Sequence, residues 1–460
     1  MVNRSIATSR QTEMASVVGK EAERLAMGLA AWVAEAPRSL AEIEARAVEL
    51  SRAVGRAALK GAVELEEPKY AAAEVTCECG GRAVYQRRRR AQYMTLLGCL
   101  QVRRAYYLCR RCHRGLVPLD RQMGLCAGSI SDGLDQLLAL MGAYHAFEEA
   151  AKVVERLTGV AISANRIRAS TEALGAAIDA RDQAEVEAAW DVQLPPPPPP
   201  PREGAPSRLY ISLDGTMTNI RGEGWKETRL GAVYTTETKP ARTPGQEPVI
   251  RATEVTYYAD LADPIRFGEH LWLEAHRRGL DHAAEVIAIA DGAAWIWKLV
   301  AVHFPQALQI VDWFHALTYL WSAANDAFGE GTDRARQWVK TWEARLWNGR
   351  ADRVIVALRP LARTSDKARE AVTYFRNNQH RMRYPEYRAR GIQIGSGPIE
   401  GGCKHVIGER LKQAGMRWAR AAARQIVKVR AALLSGRWEE AVALRPTRLR
   451  TYHRSLPQPA

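Results

Sequence analysis

An unbroken run of seven prolines, Pro195 to Pro201, constrains this chain more than any other feature. Proline fixes its own backbone angle and lacks the N–H that helices and ladders use, so the run is neither helix nor central strand. It reads as a stiff polyproline linker across 191–206, and the chain before it and after it must fold as separate parts. A length of 460 residues suits about three domains. Apolar residues at 47% and charged residues at 25% are ordinary for a folded chain and exclude wholesale disorder.

The two parts differ in pattern. Residues 1–68 read as helical, with Val18, Ala22, Leu25 and Leu29 at steps of three and four, Pro37 as a break and Ser39 as a cap. Residues 69–126 change to short alternating segments and read as a β-rich module. Residues 127–190 return to helix. After the linker, 207–435 is mixed α/β, followed by a tail at 436–460. The strands expected there are Leu209–Asp214, Thr228–Tyr234, Val249–Tyr258, Val286–Asp291 and Leu308–Asp312. A helical stretch over about 318–390 carries Trp321, Trp338, Trp342 and Trp347, which at helical spacing are core residues.

Three of those strands end in aspartate, at Asp214, Asp291 and Asp312. Ligand sites of open α/β sheets lie at the carboxyl ends of strands. A carboxylate placed there costs desolvation unless it is paired or metal-bound. One such acid alone caps a turn; three together point to a carboxylate cluster for a divalent cation, and Mg²⁺ prefers such oxygen donors. A fourth acid, Glu400, stands in Gly395-Ser396-Gly397-Pro398-Ile399-Glu400-Gly401-Gly402-Cys403-Lys404, where Pro398 suits a first helical turn. Asp312 and His315 are three apart at a strand-to-helix junction and can face one another, as metal-site support or as a local cap.

Lys plus Arg total 66 against 51 Asp plus Glu, a net +15 that favours a polyanionic partner, nucleic acid first. Residues 1–14 hold no apolar signal core, and Val286–Val302, the most apolar stretch, is interrupted by Asp291 and Lys298. The odd count of seven cysteines argues against a disulfide framework. A cytoplasmic location is expected.

Cys77-x-Cys79 and Cys109-x-x-Cys112 can make a four-thiolate zinc site, with His113 as a possible substitute. The second pair has ordinary zinc-ribbon spacing and the first is tighter. Arg87 and Arg88 open a run to Arg90 that can follow a phosphate backbone. Residues 146–178 read as a helix-turn-helix: Phe147–Leu157, a turn at 158–162, then a helix capped by Ser163 that presents Asn165, Arg166 and Arg168 near its start. Beyond Glu400, Lys404, Arg410, Lys412, Arg417, Arg420, Arg424 and Lys428 extend basic charge, and Trp418 is a stacking or packing residue.

The stretches LYISLDGT at 209–216, IADGAAWIW at 289–297, VDWFHALTYLW at 311–321 and YFRNNQHRMRYPEYRARGIQIGSGPIEGGCKHVIGERLKQAGMRW at 374–418 are similar to ISKra-type insertion-sequence transposases, relatives of the Mutator-like group. The resemblance implies an RNase H-like α/β catalytic domain with an all-α insertion, next to N-terminal helical and zinc-ribbon-like modules. It implies Asp214, Asp291 and Glu400 as the catalytic triad holding two Mg²⁺ or Mn²⁺ ions, and Asp312 and His315 as an accessory motif. It also matches the paired cysteines around Thr95 to Cys109. The implied activity is cleavage at the ends of a bacterial element and strand transfer into target DNA. The implied partners are double-stranded DNA, both terminal inverted repeats and target, and further copies of the chain as a homodimer or higher oligomer. A DNA-binding derivative without activity and a nuclease without strand transfer are the alternatives.

Overall fold

The computed structural model describes residues 2–66, 72–124, 130–190, 206–240, 249–444 and 452–453. The proline run, Cys126 and most of the C-terminal tail lie outside the described residues. The chain divides into two compact units, one within residues 1–170 joined by the strand at 452–453, the other within 171–444.

In the first unit, α1 (Val2–Glu35) and α2 (Leu40–Glu66) form a helical hairpin around Pro37. Ser39 and Glu42 cap α2 reciprocally: Ser39 N–H donates to Glu42 Oε2 at 2.8 Å and Glu42 N–H to Ser39 Oγ at 3.3 Å. An antiparallel sheet follows in the order β1 (Glu74–Thr76), β2 (Arg82–Thr95), β3 (Gly98–Cys109), β4 (Arg114–Leu116), β10 (Tyr452–His453). The inward residues of β2 and β3, Ala91, Tyr93, Leu100 and Val102, close a core with Val63 of α2 and Leu119 of α3 (Pro118–Gln122). Arg104 is buried beneath it, and the Asp120 carboxylate accepts from Arg104 Nε at 2.6 Å and from Tyr93 Oη at 2.5 Å. Removing either partner of so buried a pair would strand a charge.

Helices α4 (Asp132–Tyr144), α5 (Phe147–Thr158) and α6 (Ala164–Ala189) then pack around Leu134, Leu138, Ala150, Val154, Val160 and Ile167. Gly159, at φ +70°, ends α5, a left-handed conformation that glycine takes without strain. Ser163 Oγ accepts from Arg166 N–H at 3.3 Å at the start of α6. The stretches expected as two helices are thus helical, the first running one residue further, to Thr158. The division between the units falls inside α6 rather than at the prolines. The later part of α6 is held by the second unit: Asp182 accepts from Arg277 at 2.9 Å, and Gly175 lies where a Cβ would stand 2.2 Å from the Gln425 carbonyl.

The second unit is built on a mixed sheet ordered β7 (Val249–Asp260), β6 (Gly224–Lys239), β5 (Arg208–Ile220), β8 (Glu285–Ala290), β9 (Leu308–Val311). β5–β6 and β6–β7 are antiparallel; β5–β8 and β8–β9 are parallel. Leu209–Leu213 and Val286–Ala290 are buried without alternation, the pattern of strands covered on both faces. The covers are identifiable. Gly231 abuts Leu271 of α7 (Pro264–Arg277), whereas its neighbour Leu230 abuts Gly402 of α14 (Gly397–Gly402). Successive strand residues point to opposite faces, so α7 and α14 lie on opposite sides of the sheet.

β5 does not end at Asp214, as the apolar run predicted. It continues to Ile220 because β6 pairs with it along the full hairpin. The parallel partner β8 stops opposite Leu213, so the strand ends at Asp214 on one edge only. Between Asp312 and Glu400 lie α9 (Trp313–Phe328), α10 (Asp333–Trp347), α11 (Ala351–Leu361), α12 (Asp366–Asn378) and α13 (Tyr384–Ala389). The buried Trp313 packs edge to face on the half-buried Trp347 at 4.9 Å, and the half-buried Trp338 and Trp342 pair at 6.1 Å, whereas Trp321 is exposed, which corrects its placement in the core.

Candidate functional site

Sheet register assembles the acids. Leu213 pairs with Ala290, and Ala290 with Val311. One residue further along each strand stand Asp214, Asp291 and Asp312, side by side across β5, β8 and β9. Asp214 is also register-paired with Leu230, so it points to the face covered by α14, the helix that carries Glu400 in its first turn.

Each acid is held differently. Asp291 Oδ1 accepts from Ala293 N–H at 2.8 Å, which fixes the turn into α8 (Ala294–His303). Tyr374 of α12 donates its hydroxyl to the Asp291 carbonyl at 2.9 Å and stacks on Tyr319 of α9. Gly292 beside it has φ +101°, and a Cβ there would meet the Tyr374 ring at 2.7 Å. Asp312 is fully buried and caps α9, accepting from His315 N–H at 2.6 Å and from Ser396 N–H. Burial pushes the Asp312 carboxyl up, but the bonds from His315 and Ser396 outweigh it and hold the group below the usual range. The His315 ring, 3.6 Å from Asp312 Oδ1, is raised in turn, chiefly by that carboxylate and further by Asp291 and Asp214.

Asp214 is the contrary case. Burial and the neighbouring Asp291 raise its carboxyl above the usual range, despite the N–H of Gly215 at 2.7 Å. Cys403 Sγ donates to Asp214 Oδ2 at 3.4 Å. Two half-buried carboxylates side by side offer the kind of oxygen donors that Mg²⁺ takes. The ligand atoms of Asp312, His315 and Glu400 lie within 4.8 Å of one another, so Glu400 comes closest to the pair read as accessory. The residues fit a divalent cation.

Four sulfurs form a second cluster in the first unit, Cys77, Cys79, Cys109 and Cys112, all within 4.8 Å. Cys77–Cys112 and Cys79–Cys109 are each 3.6 Å apart. Zn–S bonds of about 2.3 Å in a tetrahedron place sulfurs about 3.8 Å apart, so the four fit zinc. The tight first pair works because the chain turns at once: Gly80 N–H donates to the Cys77 carbonyl at 2.9 Å and Cys77 N–H to the Gly81 carbonyl at 2.8 Å. A Cβ on Gly81 would stand 3.1 Å from Cys109 Sγ and 3.2 Å from Cys79 Sγ. Backbone N–H groups of Cys112 and Arg111 pull the Cys109 thiol down to about 6. His113 is exposed at φ +55° and is not one of the four.

Membership is decided by the sequence match: residues 34–446 fit the model of an uncharacterised protein family, UPF0236. The chain belongs to that family. No curated protein matches it. Among solved structures, this UPF0236 chain has a weak likeness to the Drosophila P element transposase strand transfer complex: 11% identity and a TM-score of 0.23, over 67% of this chain and 79% of that one. None of the described helices is long and apolar enough to cross a membrane.

The expected DNA contacts separate by exposure. Arg87, Arg88, Asn165, Arg166, Arg168, Lys404, Lys412 and Arg417 are exposed, and Lys412 Nζ reaches Thr216 on β5 at 2.8 Å. Arg410 and Trp418 are buried, which corrects their placement as DNA contacts: the guanidinium lies 4.8 Å over the Trp418 ring, and burial pulls it down to about 10. Arg424 and Lys428 likewise turn inward, to Asp260 at 2.6 Å and 3.0 Å. Three positioning residues escaped the sequence reading. Cys403 had a signal, three residues after Glu400 on the same helical face. Tyr374 and Ser396 had none, because only tertiary packing brings them to Asp291 and Asp312.

Proposed function

We propose that this UPF0236 member cuts DNA phosphodiesters with divalent metal and joins the ends to a target, as an insertion-sequence transposase with an RNase H-like catalytic domain. The observation that carries the reading is the alignment of Asp214, Asp291 and Asp312 at one level of three adjacent strands, with Glu400 delivered to that face by a glycine-led helix. The mixed sheet with acids at the ends of its parallel strands, and the helices between Asp312 and Glu400, support it further.

Asp214, Asp291 and Glu400 would hold the metal, with Asp312 and His315 next to Glu400. Bound divalent ions supply an activated water and stabilise the leaving oxygen. The chain's own residues do the rest. Asp312 fixes the start of α9 and keeps His315 turned to the acids. The His315 imidazole, raised chiefly by Asp312, faces the carboxylates, and its protonated form suits a non-bridging phosphate oxygen. Lys412, beside Thr216 two residues along β5 from Asp214, offers a second positive charge. The exposed Glu400 leaves the site open on the side a duplex must enter. No protein nucleophile is needed.

The test compares the wild-type chain with Asp291→Ala on a labelled fragment carrying the element's own end, with Mg²⁺ or with EDTA. Nicking at the end by wild type with metal alone, followed by a joined product on added target, is the expected result. Tight binding of the end by both proteins with no cutting by either overturns the catalytic reading. Cutting without any joined product reduces it to a nuclease.

A further inference from the structure

The outward face of the β2–β3 hairpin is unlike the rest of the first unit. Register places Arg90 opposite Arg103, Gln92 opposite Gln101 and Arg88 opposite Ala105. These cross-strand pairs share one face, the face turned away from the Ala91, Tyr93, Leu100 and Val102 core. Arg88, Arg90, Arg103, Gln92 and Gln101 are all exposed. Among the described residues of β2 and β3, no acid and no large apolar side chain stands between them on this face. Arg89, by contrast, turns to the other face and lies 3.5 Å over the Tyr106 ring. Among the described residues neither Arg90 nor Arg103 has an acidic partner. Like charges set directly opposite on a sheet destabilise it. Such a pair is a cost in the free protein that a polyanion relieves.

We infer that this ribbon face is a docking surface for the backbone of double-stranded DNA, with Arg88, Arg90 and Arg103 on phosphates and the Gln92–Gln101 pair as flanking donors. The inference rests on the proposed DNA-acting function and adds a surface outside the acidic site. Duplex DNA is the occupant that fits: the face is extended and positive, and arginine and glutamine are ordinary phosphate contacts. The hairpin tip does not lead, because Leu97 is bound by Arg56 Nη1 at 2.9 Å and Leu96 lies against Gly133. The face, not the tip, meets the duplex, so the contact is sequence-independent.

The experiment measures anisotropy of a labelled random-sequence duplex against the full chain across a salt series. It compares wild type, Arg90→Gln with Arg103→Gln, and a control with Arg359→Gln and Arg363→Gln on exposed positions of and just after α11. Each lost phosphate contact flattens the log–log salt slope by about 0.9, so the ribbon variant should bind at least about tenfold more weakly with a slope shallower by about 2. Its melting temperature should be unchanged or higher, a result that a merely structural role would reverse. Equal affinity and slope, an equal loss in the control, or tighter binding to single-stranded RNA overturns the inference. The nicking assay separates the two readings. Wild type that nicks while the ribbon variant binds normally sinks the ribbon alone, and wild type that never binds duplex sinks both.

Discussion

The two ligand clusters are assembled in opposite ways. The cysteines come in pairs separated by one and two residues, and one antiparallel register, Ala83 against Cys109, brings the pairs together. The acids come from positions 214, 291, 312 and 400: register sets the three aspartates side by side across β5, β8 and β9, and Glu400 comes within 4.8 Å of Asp312 and His315. The first cluster turns four sulfurs toward one another, with Cys77 and Cys109 buried, Cys112 half-buried and Cys79 exposed. The second is open, with Glu400 exposed and His315 at 35% side-chain exposure. Closed four-ligand sites stabilise structure, while sites with an open position do chemistry. Local spacing thus builds the first cluster, and long-range register builds the second.

Cys77→Ser should give the largest effect on the closed side. Loss of one thiolate should remove zinc, whose binding free energy in small modules is on the order of 10 kcal/mol and is folding free energy. Metal content by mass spectrometry should fall to zero and the β2–β3 amides should lose exchange protection. Retained zinc with native protection would show that the cysteines are not a brace. Asp291→Ala is the counterpart on the open side. Nicking should fall by at least about 10³, or about 4 kcal/mol of transition-state stabilisation, with little change in melting.

A sharper contrast lies between two acids of the same sheet. Burial pushes Asp260 up, but Lys428 and Arg424 outweigh it and hold it well below the usual range, whereas burial and Asp291 raise Asp214. A depressed carboxyl contributes stability that is full above an unfolded value of about 3.9 and is lost as pH falls through the folded one. A raised carboxyl has the opposite sign and costs stability above its unfolded value. Asp260→Asn should therefore cost about 3 kcal/mol at neutral pH, an effect that fades in acid. Asp214→Asn should leave the neutral-pH melting temperature unchanged or higher. Denaturant melts at pH 7 and pH 3 measure both, and equal losses for the two variants would dissolve the contrast. Smaller again is Gly292→Ala: left-handed strain and the Tyr374 clash should cost roughly 1–3 kcal/mol and reduce nicking, because the Asp291 turn must shift. Tyr374→Phe, which removes only the hydrogen bond to that turn, should cost about 1 kcal/mol.

What the sequence made legible follows the same division. The strand-terminal acids Asp291 and Asp312, the cap at Ser39 and the paired cysteines are local patterns, and each was readable. That Asp214 sits inside a longer strand was not, because β5 ends against β8 but continues against β6, and an apolar run reports only the doubly covered part. Arg410, Arg424 and Lys428 looked like part of a basic face. Their burial depends on Trp418 and Asp260, which no spacing rule connects to them. Glu400 was legible as an acid on a glycine-led helix, but its nearness to Asp312 and His315 required the Ser396 contact that ties the preceding loop to Asp312.

Aligning three acids by register also limits how such a chain can change in length over generations. A single residue gained or lost inside β5 before Asp214 would turn that carboxylate to the opposite face, onto the side covered by α7. The same event in the Gly329–Thr332 turn between α9 and α10 would move no acid out of line. Lineages of this chain should therefore keep the spacing within each strand constant while the helical stretch between Asp312 and Glu400 grows and shrinks.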